Sequence, residues 1–125
     1  MKILSATAHG AIDYLSVIIF ALAPTVAGFT GKQATICYLL AVVHFLLTAI
    51  TKFPLGILKT VPFSIHGMVE IVVSILLVIL PWIGGFSDGV NSRNFFVAMG
   101  IVIFLVWMLT DYRSGTAASE RTVAH

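Results

Sequence analysis

Apolar residues fill four long stretches of this chain, at about 6–29, 34–53, 63–83 and 95–112. Polar residues are confined to the breaks and to a few positions inside the stretches. About 20 apolar residues span a bilayer as a helix, so the pattern predicts four transmembrane helices. Proline and glycine punctuate it consistently. Pro54 is expected to end helix 2, and Pro62 to open helix 3, where its missing N–H costs nothing. Gly28, Gly31, Gly84, Gly85 and Gly89 mark two outer turns. The apolar segment 55–61 is expected to lie along the membrane interface. Pro24 and Pro81 fall near the ends of apolar stretches and are expected to terminate helices just before the outer turns.

The polar positions inside the stretches repeat. His9-Gly10 with Asp13, then Pro24 and Gly28-Phe29, returns 57 residues later as His66-Gly67 with Glu70, Pro81 and Gly85-Phe86. Residues 46–48 (Leu-Leu-Thr) match 108–110 (Met-Leu-Thr) if five residues near 91–95 are inserted. Each copy would contain two spans, so both enter the membrane in the same direction. Two parallel hairpins related by a pseudo-two-fold axis along the membrane normal are expected.

Composition sharpens this picture. The chain is 59% hydrophobic and 10% charged, with mean hydropathy +1.07, whereas globular domains carry about 25% charged residues. Four spans leave no room in the sequence for a separate soluble domain. Met1-Lys2 followed by an apolar run could pass for a secretory leader. The internal copy after His66 and the acid at Asp13 argue against that reading. Cys37 is the sole cysteine and reads as a small buried hydrophobe.

The charges also orient the chain. Lys2, Lys52, Lys59, Arg113 and Arg121 fall on one side of the four-span arrangement, and Lys32 and Arg93 on the other. The positive-inside bias places both termini and the central loop on the cytoplasmic side of the membrane. A net charge of +2 gives no reason to expect nucleic acid. Residues 114–125 read as a polar, disordered tail.

That topology gathers the ionisable groups at one end. His9 and Asp13, and likewise His66 and Glu70, are four residues apart and share a helix face. His44 on helix 2 is expected to approach the same level, as are Thr48, Thr51, Thr110 and Asp111 on helices 2 and 4. Ionisable residues inside a membrane are costly unless paired, which makes this cluster the candidate site. The candidate set is His9, Asp13, His44, Thr48, His66, Glu70, Thr110 and Asp111.

Four uses of the cluster compete. It serves as a set of polar braces satisfied across helices, as a path for protons or a small cation, as a transition-metal site using His9, His44 and His66, or as a bis-histidine haem site between His9 and His66. The sequence holds no paired Glu-x-x-His of a di-iron bundle. It also lacks a nucleophile elbow, a phosphate-binding loop and a zinc-protease helix. A non-enzymatic protein is therefore expected.

His-Gly-x-x-Asp-Tyr at 9–14, Leu-Leu-Thr at 46–48, Pro-x-x-x-His at 62–66 and Leu-Thr-Asp-Tyr at 109–112 together resemble the bacterial SPW-repeat family. The resemblance covers nearly the whole chain up to the tail. It implies a small integral membrane protein made of a two-helix repeat, with Ser-Pro-Trp in the first helix. Here the corresponding triplets read Ala23-Pro24-Thr25 and Leu80-Pro81-Trp82. The resemblance implies no activity and transfers no catalytic residue.

The expectation is therefore an all-α polytopic membrane protein of four helices in two tandem hairpins (about 6–53 and 63–112). It would act as a packing or accessory subunit, in contact with lipid and with copies of itself or other membrane subunits. The alternatives are a small proton or cation transporter using the cluster, and a haem- or metal-binding membrane protein.

Overall fold

A computed structural model describes residues 2–112; the expected polar tail lies outside the described residues. The elements are α1 (Ala6–Ala27), α2 (Gly31–Ala49), β1 (Thr51–Lys52), β2 (Val61–Pro62), α3 (Phe63–Ile83) and α4 (Val90–Leu109). All four helices are long and apolar enough to cross a membrane. α1 packs along α2, and α3 along α4.

The burial pattern is that of a bundle meant for an apolar solvent. In α1 the buried positions are Ala6, His9, Gly10, Asp13, Ser16, Phe20, Ala23 and Pro24, a stripe at helical spacing whose first half is polar. In α3 the stripe is Phe63, His66, Gly67, Glu70, Ser74, Leu77 and Pro81. Large aliphatic side chains such as Leu22, Val43, Val72 and Ile101 point outward. Polar-in and apolar-out is the reverse of a soluble bundle and is compatible with helices packed in lipid, which is as apolar as leucine.

Two apolar clusters bracket the polar stripe. The larger holds Phe20, Cys37, Leu77, Phe86, Phe96, Met99 and Ile103 toward the α1–α2 and α3–α4 turns. The smaller, Ala6, Phe53 and Phe63, closes the opposite end. Gly100 lets α4 approach α3 closely, since an added Cβ would lie 2.7 Å from the Ser74 carbonyl oxygen.

The helix ends depart from the sequence expectation in ways that matter for the site. α2 stops at Ala49, well before Pro54, because the Ala49 and Ile50 carbonyls accept from Ile57, Leu58, Thr60 and Val61 in the returning loop. Thr51–Lys52 then pairs in parallel with Val61–Pro62. α4 starts at Val90 rather than 95, so the residues read as an insertion form its first turns, beginning after Gly89. It ends at Leu109, which leaves Thr110 and Asp111 extended. Leu4 bridges them, donating to Leu109 and accepting from Asp111. Pro24 and Pro81 both lie in the last turns of their helices, and Gly28 caps α1 with φ 72°.

Candidate functional site

Ser5 starts α1 by accepting from the Ala8 N–H at 3.1 Å. That start places His9 one turn into the helix and Asp13 one turn deeper. Pro62 stands at the N-cap position of α3 without a side-chain hydrogen bond, and the helix start after it places His66 and Glu70 likewise. The two helices bring all four side chains face to face.

His9 Nε2 lies 3.2 Å from Asp13 Oδ2 and 2.9 Å from Glu70 Oε2. His66 Nε2 lies 2.9 Å from Asp13 Oδ2 and 2.9 Å from Glu70 Oε1. One ligand-capable atom from each of the four falls within 4.8 Å of the other three. Each histidine therefore faces the carboxylates of both hairpins.

The far side of each imidazole is tied down. His9 Nδ1 is 2.7 Å from Thr110 Oγ1, and His66 Nδ1 is 2.7 Å from Thr51 Oγ1. Each threonine hydroxyl sits 2.5 Å from a backbone carbonyl of its preceding helix, Val106 for Thr110 and Leu47 for Thr51. A carbonyl only accepts, so the single hydroxyl proton goes there, and the hydroxyl oxygen must accept from the ring. Both histidines are thereby fixed with a proton on Nδ1, leaving Nε2 as the atom presented to the carboxylates.

That inner shell is only partly satisfied by hydrogen bonds. His9 Nε2, Asp13 Oδ2, His44 Nε2 and Glu70 Oε2 are buried and make no hydrogen bond among the described residues, although oxygen and nitrogen are close. His66 Nε2 and Glu70 Oε1 do form one, at 2.9 Å. Nitrogen and oxygen this close in an apolar interior need a proton or a metal ion between them.

Aromatic rings wall the site. Phe63 lies edge-on to His9 with centroids 5.3 Å apart, Phe53 stacks on Phe63 at 5.2 Å, and Tyr112 packs on Phe63 at 4.6 Å. Gly10 and Gly67, each next to its histidine, make room for these rings. An added Cβ would lie 2.6 Å from the Phe53 ring at Gly10 and 2.7 Å from the Tyr112 ring at Gly67. Tyr112 follows α4, and burial, reinforced by the Glu70 and Asp13 charges, holds its hydroxyl above the usual tyrosine range.

Of the sequence candidates, His9, Asp13, His66 and Glu70 form the centre, and Thr110 orients His9. His44 stands beside it, its Nε2 3.5 Å from Asp13 Oδ1 and 4.0 Å from Glu70 Oε1. Thr48 is buried but spends its hydroxyl on the His44 carbonyl at 2.8 Å. Asp111 lies outside the four-residue group and joins Leu4 through its backbone. Thr51, expected at the level of the cluster but left out of the candidate set, orients His66, and the ring walls Phe53, Phe63 and Tyr112 were not among the candidates. The only sequence signal for that arrangement is that Thr51-x-Phe53 has the same form as Thr110-x-Tyr112.

The haem alternative does not fit. The His9 and His66 ring centroids are 5.5 Å apart in an edge-on arrangement, with Asp13 and Glu70 inserted between the nitrogens. A porphyrin has no plane to occupy there. No family model, curated protein or solved structure matches the chain.

Proposed function

We propose that this is a small integral membrane protein that binds one divalent transition-metal ion between its two helical hairpins, through His9, Asp13, His66 and Glu70. The observation that carries the reading is the pair of threonine relays. Each puts a proton on the outer Nδ1 of a histidine and turns its Nε2 inward, which is how outer groups prepare a metal-ligating histidine. Two imidazoles and two carboxylates suit a borderline ion such as Zn²⁺ or Fe²⁺, and the absence of a thiolate from the group argues against Cu⁺. Two carboxylate charges also neutralise a divalent ion, so the loaded centre adds no net charge to the membrane interior.

The tandem-repeat reading is supported by matched contacts on the two sides: His9–Thr110 beside Gly10–Phe53, and His66–Thr51 beside Gly67–Tyr112. The distribution of lysine and arginine supports an inner-membrane location with the centre on the cytoplasmic side. SPW-repeat membership rests on the motifs quoted above.

The test is metal content. Protein purified without added chelator should carry about one equivalent of Zn or Fe by inductively coupled plasma mass spectrometry, with an X-ray absorption shell of nitrogen and oxygen only. Asp13→Asn with Glu70→Gln should lose it. No metal in a folded wild-type protein would sink the proposal and leave the cluster as a brace in a packing or accessory subunit.

A further inference from the structure

His44 differs from the other two histidines. Its Nε2 is buried without a hydrogen bond among the described residues, and its side chain is 8% exposed, against 0% for His9 and His66. It comes from α2, so it approaches the carboxylates from the side that neither of the other histidines occupies.

Asp13 meets it with its other edge, and Glu70 with an oxygen it shares with His66. Asp13 turns Oδ2 to His9 and His66 but Oδ1 to His44, at 3.5 Å. Glu70 turns Oε2 to His9, while Oε1 is 2.9 Å from His66 and 4.0 Å from His44. Metal–ligand bonds of about 2.0–2.2 Å let two ligands of one ion stand about 4.4 Å apart at most. The His44 pairings with Asp13 and Glu70 satisfy that limit. His44 itself is outside the group whose atoms all lie within 4.8 Å, so it is not set to join the same ion at the same position.

We propose that His44 Nε2, Asp13 Oδ1 and Glu70 Oε1 form a second station for the same divalent transition-metal ion, occupied in alternation with the first. The inference rests on the metal reading above. Both stations draw on the same two carboxylates. Filling both at once would leave two positive charges uncompensated in an apolar interior, which disfavours double occupancy. Filling them in turn moves the ion from the His44 side to the fully enclosed His9/His66 side by exchanging Asp13 Oδ1 for Oδ2, with Glu70 Oε1 common to both stations. His44 is thus the exchange ligand, and His9 and His66 are the retaining ones.

The experiment measures both stoichiometry and rate with Zn²⁺ as the probe. Metal-free protein in detergent is mixed with Zn²⁺, and loading and release are followed by stopped flow with a fluorescent zinc chelator, alongside the thermal melt. The wild type should bind one equivalent. His44→Ala, and the bulkier His44→Gln as a second variant, should still bind one equivalent at saturation but load and release about tenfold more slowly or worse. Unchanged rates in both folded variants would overturn the second station. Loss of the equivalent in both would make His44 a retaining ligand and overturn it as well. Two equivalents in the wild type would overturn the alternation. None in the wild type would overturn the metal reading itself, and the station with it.

Discussion

His9 and Thr110 are separated by almost the whole described chain, yet His9 Nδ1 and Thr110 Oγ1 meet at 2.7 Å. The bond crosses from the first hairpin to the second, and the one between His66 and Thr51 crosses the other way. Each hairpin therefore supplies a histidine that the other one orients. Neither hairpin alone presents a prepared nitrogen, so the centre exists only when the two are docked.

Removing a relay should weaken the metal without unfolding the protein. Thr110→Val and Thr51→Val keep shape and lose the acceptor, and an outer-sphere change of this kind costs about 10–100-fold in metal affinity. The lost hydrogen bond costs about 1 kcal/mol in stability. Competition against a chelator of known affinity should show the drop, with Thr→Ser restoring most of it. Equal affinities for wild type and valine variants would refute the orienting role.

The ion should clamp the hairpins together. At free metal one hundred times the dissociation constant, binding to the folded state alone adds about 2.7 kcal/mol. Adding a chelator should lower the melting temperature of the wild type and leave the Asp13→Asn, Glu70→Gln variant unmoved. A melting temperature indifferent to chelator in the wild type would count against any ion at the centre.

Gly10 and Gly67 should tolerate no methyl group. The nearest atoms to an added Cβ belong to the Phe53 and Tyr112 rings, which are held by Phe63 and have little freedom to withdraw. Overpacking of this kind costs about 1–3 kcal/mol. Gly10→Ala and Gly67→Ala should each melt earlier in detergent, and pairing Gly10→Ala with Phe53→Leu should recover part of the loss. A melting temperature equal to wild type in both alanine variants would contradict the packing described.

Alkaline pH should destabilise the fold through Tyr112. Its hydroxyl is held above the usual range, chiefly by burial, while in the unfolded chain it titrates near pH 10. Below that pH both states carry the proton and nothing changes. Above it the unfolded chain releases the proton and the folded one retains it, so stability falls as pH rises. Thermal melts between about pH 8 and 11 should show that decline reduced in Tyr112→Phe. The same variant should be no less stable at neutral pH, since the buried hydroxyl makes no hydrogen bond among the described residues. Identical alkaline slopes would exclude the tyrosine as the cause.

The helical content and the convergence of His9, Asp13, His66 and Glu70 were legible because they are local or periodic. Four apolar runs of bilayer length read as four spans, and residues four apart on a helix share a face whatever the helix packs against. The helix ends were less legible. Pro54 marked a stop, but α2 had already ended because its last carbonyls were claimed by Ile57 and Leu58 from the returning loop. Thr48 looked equivalent to Thr110 by its preceding leucine, yet its hydroxyl is spent on the His44 carbonyl.

Four helices apolar enough to cross a membrane, and the pairing of each histidine with an acid one turn on, follow from hydropathy and helical periodicity and can be read from the residues alone. Which nitrogen each histidine turns inward, which threonine holds it there and which Asp13 oxygen His44 meets emerge only once the two hairpins are packed. Those choices depend on backbone atoms at the ends of α2 and α4, where extended chain docks against β2, ten residues on, and against Leu4 at the other end of the described chain. No local pattern encodes a register set by the other half of the molecule.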